Sequence, residues 1–400
     1  MLIVQKYGGT SVGTPERLRA VAGRIATHRR RGDQVVAVVS AMGHTTDQLQ
    51  DLARQVTERP SRRELDMLLT AGERISMALL SMALDTLDIP AISFTGSQSG
   101  IITDTAHTRA RIVDVRPIRI GPELEKGKVV IVAGFQGVSA EKEVTTLGRG
   151  GSDTTAVALA AGLAADRLEI CTDVPGVLTA DPARVPAARL LRHLDWDTLL
   201  ELASAGAGVV HSRAVELARI RRLPFHVCST FEEEAGTLVD GTPFENGPAA
   251  AGITGRPRVA EIHFKGLRLA TDAARFFADL DLLLEDVTGL HQEESGSATH
   301  ITFHVPLDPE DDDLRNSLRC LAESHQGTVE IEATHAAVSV VGSRTLDVPE
   351  VASRAYRALA DAGIRPASMH TGNLSLTLLI PEDAYVEAQV ALHKEFIEEN

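Results

Sequence analysis

The chain has 400 residues, of which 44% are hydrophobic, and a formal net charge of −15 at pH 7. This length allows about two or three domains, and an acidic chain without a long basic run is not expected to bind nucleic acid. Cys171, Cys228 and Cys320 are far apart in sequence and lack metal-ligand spacing, which predicts buried thiols in a reducing compartment. We find neither a signal-peptide layout nor an apolar stretch of membrane-spanning length, and expect a soluble cytoplasmic protein.

Short β-rich runs alternate with amphipathic stretches through the first 240 residues or so. The predicted buried strands are residues 2–4, 34–40, 91–94, 129–135, 167–172 and 224–228, and the helices between them include 15–28 and 64–87. Such alternation predicts a mainly parallel sheet with helices on both faces. Ligands of such sheets bind beyond the carboxyl ends of the strands, where the polar, glycine-bearing stretches of this chain fall.

Residues 232–252 are rich in acidic residues, Gly and Pro, which predicts a linker. Beyond it we predict strands at 261–267, 299–305 and 328–332 with helices at 272–281 and 311–324. A similar series follows, with strands at 337–342 and 374–380 and helices at 348–362 and 382–395. This is a β-α-β-β-α-β unit used about twice. It contains no catalytic cluster, so we expect a regulatory or dimerising module.

A glycine-rich loop with one arginine leads into an apolar helix in TTLGRGGSDTTAVALAAGL, residues 145–163. The N–H groups and positive dipole end of a helix N-terminus attract anions, and glycines let a ligand approach the backbone closely. Ser152 or Asp153 could serve simply as the N-cap of this helix. An N-cap does not account for Arg149, whose guanidinium suits two-pronged binding of a carboxylate or phosphate.

Lys6 and two glycines stand between the first strand and the first helix, in VQKYGGTSVG. A glycine-rich turn with one lysine after a strand outlines a phosphate site, although Lys6 precedes the glycines and so departs from the P-loop pattern. The alternative is an ordinary strand-to-helix turn, which needs glycine without any ligand.

Three further polar stretches allow a functional and a purely structural interpretation. SAMGHTTD, residues 40–47, offers hydroxyl and N–H groups at a strand end or is simply a capped turn. Glu73 stands at the start of an apolar helix, where a carboxylate favours the helix dipole without any ligand. TDVPGVLTADP, residues 172–182, contains Asp173 and taken alone is typical of a surface turn.

Together with AGERISMALL, AISFTGSQSGIITD, VAGFQGV and ELASAGAGVVHSRAVELA, these stretches occur in the order found in aspartate kinases. Residues 1–240 therefore resemble that family, which belongs to the amino acid kinase superfamily, and the tail resembles its tandem ACT regulatory domains less closely. The resemblance implies an α/β amino acid kinase domain over 1–240, with a mainly parallel sheet sandwiched by helices. Two ferredoxin-like ACT-type modules would follow over 253–332 and 333–400, with strands exchanged between them as a possibility.

The resemblance implies transfer of the γ-phosphoryl group of ATP to the β-carboxylate of aspartate, which gives an acyl phosphate. Such a transfer needs positioning and charge neutralisation more than a protein nucleophile. Lys6 matches the family's catalytic lysine, and Asp153 matches the aspartate that organises it. Glu73 matches the acid that pairs with the substrate amino group, and Arg149 the arginine that binds its carboxylate. The implied substrate-binding residues are Ser40, Thr45, Glu73, Arg149 and Ser152, and the implied nucleotide-binding residues are Gly8, Gly9, Ser11, Thr172, Asp173 and Arg184.

Three departures from the family pattern fall on the nucleotide side. Leu178 replaces an aromatic residue near the adenine, Ala183 replaces an arginine, and Gly208 replaces a lysine that reaches the ATP phosphates. The candidate compensating cations are Arg184, Arg213 and Arg219. The regulatory half departs as well, since GLRLATDAARFF lacks the Pro and Gly of the family's effector turn, so no particular feedback effector is implied.

Three interpretations remain open from the sequence: a working aspartate kinase, a related kinase of another amino-acid carboxylate, and a regulatory or binding paralogue with impaired phosphoryl transfer. The first is favoured because the substrate-side residues are retained. Its expected ligands are L-aspartate and ATP, with Mg²⁺ carried by the nucleotide rather than caged by protein. We also expect an amino-acid effector at the ACT-like modules and a homo-oligomer, but no nucleic-acid or membrane partner.

Overall fold

The computed structural model describes residues 1–232, 236–243, 250–269, 273–284, 287–296, 298–306, 312–342 and 347–399. The chain divides into two units. The first unit comprises Met1–Leu178, Leu190–Ala203 and Gly208–Phe244, and the second comprises Thr179–Arg189, Ser204–Ala207 and Glu245–Asn400.

The first unit contains two sheets and the helices that cover them. Its elements in chain order are β1 (Leu2–Tyr7), α1 (Pro15–Arg30), β2 (Gln34–Val39), α2 (Thr45–Val56), α3 (Arg62–Leu69), α4 (Ala71–Asp85), β3 (Ala91–Phe94), α5 (Gly96–Ser99), β4 (Ile101–Thr103), β5 (Ile112–Val115), α6 (Ile120–Glu125), β6 (Val129–Ala133), β7 (Gln136–Ser139), β8 (Val144–Thr146), α7 (Gly151–Gly162), β9 (Arg167–Thr172), β10 (His193–Asp195), α8 (Trp196–Ser204), α9 (Ser212–Arg221), β11 (Phe225–Ser229) and β12 (Thr237–Asp240).

An eight-stranded sheet in the order β10-β12-β11-β9-β1-β2-β6-β3 forms the centre of this unit. The pairs that join β3, β6, β2, β1, β9 and β11 are all parallel, and these are the six strands that the sequence predicts. The α/β prediction is therefore confirmed. Buried side chains of β1 and β2 pack against the apolar face of α1, which includes Val21 and Ile25. β1 lies between β2 and β9, so the residues that follow it lie at the middle of the sheet edge.

Several short strands were not expected from the sequence. A second sheet has the order β5-β4-β7-β8, and its strands are only three or four residues long, too short to show a hydrophobic period. The predicted linker is wrong at Thr237–Asp240, which forms β12 and pairs with β10 and β11. Alternate burial of Thr237 and Val239 secures this strand. The rest of the predicted linker lies partly outside the described residues, at 233–235 and 244–249, and Ala250 already begins the next strand.

Helices α3 and α4 follow one another with only Thr70 between them. By length and composition alone, the run Arg62–Asp85 could cross a membrane, which the sequence analysis did not single out. Length and composition are satisfied equally by a core helix of a globular protein. Here α4 packs against α1, β3 and β6, and Leu80 and Leu84 are buried in the same core as β2.

The second unit is built on one antiparallel sheet. Its elements are β13 (Ala250–Leu267), α10 (Ala273–Leu283), β14 (Thr288–Ser295), β15 (Ala298–Val305), α11 (Asp312–Ser324), β16 (Thr328–Gly342), α12 (Val348–Asp361), β17 (Ser368–Thr371), β18 (Ser375–Pro381), a 3-10 turn (Glu382–Ala384), α13 (Tyr385–His393) and a terminal π-helical turn (Lys394–Glu398). The strand order is β14-β15-β13-β16-β18-β17. The first residues of the predicted helices 272–281 and 311–324 lie outside the described residues.

Strands β13 and β16 run through both halves of this sheet. Ile253 pairs with Val340 in one half and Ile262 with Ile331 in the other, with irregular register between them. One core contains Phe264, Phe276 and Phe303, and a separate core contains Ala355, Leu392 and Phe396 among others. The predicted boundaries at 253 and 333 thus fall inside two shared strands, and the exact division into modules stays a prediction.

Candidate active site

The ammonium of Lys6 and the carboxylate of Asp153 form an ion pair at the carboxyl end of β1. Lys6 Nζ lies 2.6 Å from Asp153 Oδ1, and both side chains are largely buried. Asp153 is in the first turn of α7, and its Oδ2 accepts a hydrogen bond of 3.2 Å from the backbone N–H of His211, at the start of α9. A Cβ at Gly8 would lie 3.3 Å from Lys6 Nζ, so glycine there leaves room around the ammonium. The structure thus brings together two residues that the sequence analysis selected, and adds His211, which it missed.

The loop before α7 is shaped by left-handed glycines on either side of Arg149. Gly148 has φ 74° and Gly150 has φ 65°. A Cβ at Gly150 would also fall 2.0 Å from Cγ of the His211 ring, so this position requires glycine. Gly150 is the N-cap residue of α7 and no side chain caps the helix, so the interpretation of Ser152 or Asp153 as an ordinary N-cap is wrong. Asp153 instead uses its two oxygens for Lys6 and His211.

The carboxylate of Glu73 is buried in the first turn of α4. Its side chain is only 3% exposed, and Oε1 accepts a hydrogen bond of 3.2 Å from the backbone N–H of Ala41, which follows β2. Oε2 has no hydrogen-bond partner among the described residues. Burial raises the pKa of Glu73 to about 7. A helix-dipole role alone needs neither burial nor an unpartnered oxygen, and both features suit a carboxylate that receives a cationic ligand group.

Ser40 and Thr45 lie on the turn after β2, close in sequence to Ala41. Ser40 is half-buried and its N–H donates to the carbonyl of Tyr7, at the end of β1. The Thr45 hydroxyl donates to the carbonyl of Met42 at 2.6 Å, as the capped-turn interpretation predicts. Ser152, in the first turn of α7, is buried, and a Cβ at Gly134 would lie 2.7 Å from its Oγ. The substrate-side candidates therefore lie at the end of β2, at the starts of α2, α4 and α7, and in the loop before α7.

The candidate nucleotide-side residues include Ser11, Thr172 and Asp173. Ser11 is fully buried, and its hydroxyl is 2.7 Å from that of Thr230, which directly follows β11. The Thr230 N–H donates to the carbonyl of Thr172 at 2.7 Å, while the Thr172 hydroxyl donates to Asp173 at 3.1 Å. Thr230 thus joins the turns after β1 and β9. The sequence analysis missed Thr230, although its place in a polar CST run after a predicted strand was an available signal.

Gly208, one of the departures on the nucleotide side, lies in open space, and two of the candidate compensating cations already have partners. A Cβ at Gly208 would meet no heavy atom of the described residues within 4 Å. Arg213 donates to the carbonyls of Leu147 and Ala110, and Arg219 pairs with Asp197. Both guanidinium groups therefore have partners within the protein.

Arg184, the remaining candidate cation, belongs to the second unit. Its guanidinium lies 3.4 Å from the carboxylate of Asp181 and 3.2 Å from the hydroxyl of Tyr385, and it lies over the ring of Tyr385. These contacts are a structural role that the sequence did not indicate.

Two of the cysteines are neighbours in the structure. Cys171 and Cys228 are directly paired on β9 and β11, with their sulfur atoms 3.8 Å apart, and Glu169 lies within ligand distance of both. Arg24 donates hydrogen bonds to Glu169 and Cys228, and this cation opposes binding of a metal ion among them. Cys320 is exposed on α11, so the expectation that all three cysteines are buried is wrong for this residue.

Comparison with known proteins places these features in a family. Residues 1–229 match the model of the amino acid kinase family, and residues 338–396 match that of the ACT domain. Aspartokinase 2 of Bacillus subtilis (strain 168) is 42% identical over 401 residues, covering 99% of this chain and 97% of its relative. The chain belongs to the aspartokinases, within the amino acid kinase family. It is therefore an ATP-dependent kinase of aspartate, and the full-length identity favours the first of the three interpretations above.

Two solved aspartokinase structures resemble this chain over nearly their whole length. Escherichia coli aspartokinase III in complex with aspartate and ADP, in the R-state, aligns with a TM-score of 0.80 at 23% identity and covers 99% of both chains. At this identity the likeness shows the fold. The same enzyme in complex with lysine and aspartate, in the T-state, aligns with a TM-score of 0.71 at 25% identity, again over 99% of both chains. The amino acid kinase fold followed by a C-terminal ACT domain is thereby confirmed.

Proposed function

We propose that this aspartokinase joins a β-carboxylate oxygen of L-aspartate to the γ-phosphorus of ATP, with Lys6 as the catalytic cation. The bond from that phosphorus to the β,γ-bridging oxygen breaks, ADP leaves with the electron pair, and 4-phospho-L-aspartate forms. The observation that supports this role is the buried ion pair of Lys6 with Asp153 at the end of β1. Asp153 holds the ammonium in place, so that it can neutralise charge on the transferring group without reorganisation.

The substrate is held at both ends in this proposal. Glu73 receives the ammonium group of aspartate, because its Oε2 is buried and lacks a partner among the described residues. Arg149 binds the α-carboxylate with a two-pronged contact, from a loop that left-handed glycines hold open. Ser40, Thr45 and Ser152 supply polar contacts along the substrate.

The nucleotide lies along the turns after β1 and β9. Gly8 and Gly9 allow the phosphates to approach the backbone. Ser11 stabilises this turn through the hydrogen bond between its hydroxyl and that of Thr230. Thr172 and Asp173 complete the proposed set within the first unit. Mg²⁺ fits the exposed oxygen pair of Thr172 and Asp173, since hard cations take oxygen ligands. When bound with ATP, Mg²⁺ supplies neutralisation of phosphate charge.

The second unit has a regulatory role in our proposal. We infer two ACT-type modules, over 253–332 and 333–400, that share β13 and β16 and bind an amino-acid effector; lysine occupies the Escherichia coli neighbour. We also propose that the protein is a cytoplasmic homo-oligomer. Kinase assays with each of the common amino acids as inhibitor, paired with light scattering, test the effector and the oligomer together.

Trapping of the acyl phosphate with hydroxylamine tests the proposed reaction. With L-aspartate, ATP and Mg²⁺ the protein should form aspartyl hydroxamate, and omission of any one component should abolish it. L-Glutamate in place of L-aspartate should give a much lower kcat/KM, since Glu73 and Arg149, the two ends of the proposed substrate clamp, are spaced for the shorter amino acid. Binding of aspartate without hydroxamate would instead identify an impaired paralogue, and preference for another carboxylate would identify a different kinase.

A further inference from the structure

Asp66 is a fully buried carboxylate whose partners lie on two separate segments of the chain. It belongs to α3 and has no solvent exposure. Its oxygens accept hydrogen bonds from the N–H of Thr108 at 3.0 and 3.2 Å and from the hydroxyl of Thr146 at 2.5 Å. Nδ1 of His107 lies 2.6 Å away. A buried carboxylate needs such partners, and their number shows that Asp66 fixes α3, the segment 107–108 and the end of β8 relative to one another.

The contacts of Asp66 lead toward Arg149. Thr146 is the last residue of β8 and precedes Arg149 by three positions in the chain. Its carbonyl accepts a hydrogen bond of 2.8 Å from the N–H of Ala110, and Arg213 donates to the carbonyls of Leu147 and Ala110. The segment that Asp66 holds therefore runs beside the strand end from which the loop of Arg149 emerges.

A second contact joins the same segment to the glycine that precedes Arg149. Thr108 has a left-handed backbone with φ 70°, which is unusual for a β-branched residue. Its carbonyl oxygen lies 3.1 Å from the position that a Cβ at Gly148 would take. Asp66 accepts the Thr108 N–H and so holds this strained residue against the start of the loop.

The other direction along the chain leads from Asp66 to Glu73. Helix α3 passes into α4 through Thr70, which keeps helical backbone angles, and Glu73 lies in the first turn of α4. Gln136 donates a hydrogen bond of 3.3 Å to the carbonyl of Thr70 and so secures the junction. Asp66 is thus tied to the Glu73 helix by the chain, and by hydrogen bonds to Thr108 and Thr146, which adjoin the loop of Arg149.

We propose that Asp66 is a positioning residue that sets the separation of Glu73 and Arg149, and thereby selects a substrate of the length of aspartate. The proposal rests on the substrate roles proposed for those two residues. Asp66 itself touches no substrate, since it is wholly enclosed by protein. Displacement of one end of such a clamp by about 1 Å can cost about 10²-fold in activity, because the reacting groups no longer meet in the required geometry.

The main test compares Asp66→Asn with the control Asp85→Asn, a matched change at an exposed residue at the end of α4. Asn keeps the shape but loses the charge and one acceptor oxygen. We expect KM for L-aspartate to rise by about tenfold or more, KM for ATP to stay within about twofold, and the preference for L-aspartate over L-glutamate to fall. Equal increases in both KM values, or loss of kcat with unchanged preference, would mean that Asp66 only supports the fold.

Thr146 provides a milder test should Asp66→Asn not fold. Thr146→Val removes one hydrogen bond to Asp66 and should raise KM for L-aspartate, whereas Thr146→Ser keeps the hydroxyl and should restore it. If Val and Ser behave alike, the contact has no positioning role.

A double-mutant cycle separates failure of this proposal from failure of the proposed function. Asp66→Asn should raise KM for L-aspartate much less in an Arg149→Lys background than in the wild type, because the guanidinium group that Asp66 positions is already absent. If Arg149→Lys raises this KM but the two changes are additive, Asp66 does not act through Arg149 and the substrate roles stand. If Arg149→Lys leaves it unchanged, the role of Arg149 is wrong and the positioning proposal fails with it.

Discussion

The buried carboxylate of Glu73 predicts that aspartate binding strengthens as pH rises through neutrality. Burial raises the pKa of Glu73 to about 7, whereas an exposed glutamate ionises near 4.3. The ammonium of aspartate needs the ionised form. At pH 6 only about one free enzyme molecule in ten carries ionised Glu73, so KM for aspartate should be about tenfold above its plateau value. At pH 7 the excess should be about twofold, and at pH 8 it should nearly vanish.

The assay is the steady-state KM for L-aspartate between pH 5.5 and 8.5, at saturating ATP and constant ionic strength. The carboxyl groups of aspartate titrate well below this range and its amino group above it, so neither produces the trend. Glu73→Gln is the control, because a neutral amide at this position should give a high KM that does not change with pH. A flat KM in the wild type, with a raised and equally flat KM in the variant, would refute the link between burial and substrate binding.

The same pKa shift makes a prediction about stability, with a definite sign. Because the folded-state pKa is raised, the contribution of Glu73 to stability is most favourable below the unfolded value near 4.3 and is lost as pH rises through about 7. The size of the shift corresponds to about 3–4 kcal/mol at alkaline pH without substrate. Glu73→Gln should therefore raise the free energy of unfolding at pH 8 and have little effect at pH 5. Urea unfolding at the two pH values measures the difference.

Three substitutions test the other proposed roles. Lys6→Ala should lower kcat by about 10²-fold or more, since it removes the cation that Asp153 positions, and near-normal kcat in a folded variant would contradict the assignment. Arg149→Lys should raise KM for aspartate but not for ATP, and a joint rise would place Arg149 on the phosphates. Gly208→Lys should raise kcat/KM for ATP by an amount equivalent to about 1–3 kcal/mol of transition-state stabilisation, because the position has room for a lysine side chain that reaches a phosphate. If the wild type already has a low KM for ATP and the variant shows no gain, another cation neutralises the phosphates.

The sequence predicted the central sheet because buried parallel strands are continuous apolar runs, as in Val129–Ala133. It also predicted which polar stretches meet at one edge of the sheet, where Lys6 and Asp153 form an ion pair. The strand Thr237–Asp240 was missed because local composition around it is typical of a linker, while its stability comes from pairing with β10 and β11.

Partner choice within the site was beyond reach of the sequence. The local pattern allowed Asp153 to cap α7, and only the packing of β1 and α9 around it shows that its oxygens go to Lys6 and His211. Arg184 stands one position from the family arginine and was a plausible substitute. The ring of Tyr385, far along the chain, holds its guanidinium instead, and no local pattern contains that contact.

The two halves of the site differ in how much of the required arrangement the protein provides before ligands bind. On the acceptor side, the buried carboxylate of Glu73, with one oxygen that has no partner among the described residues, persists at a cost in stability, and the substrate ammonium would offset that cost on binding. Such a group selects strongly against substrates without an ammonium at the matching distance, because they leave the charge unpaired. On the nucleotide side, the open position at Gly208 imposes no comparable demand. Discrimination by this enzyme should therefore be sharper for the amino acid than for the nucleoside triphosphate.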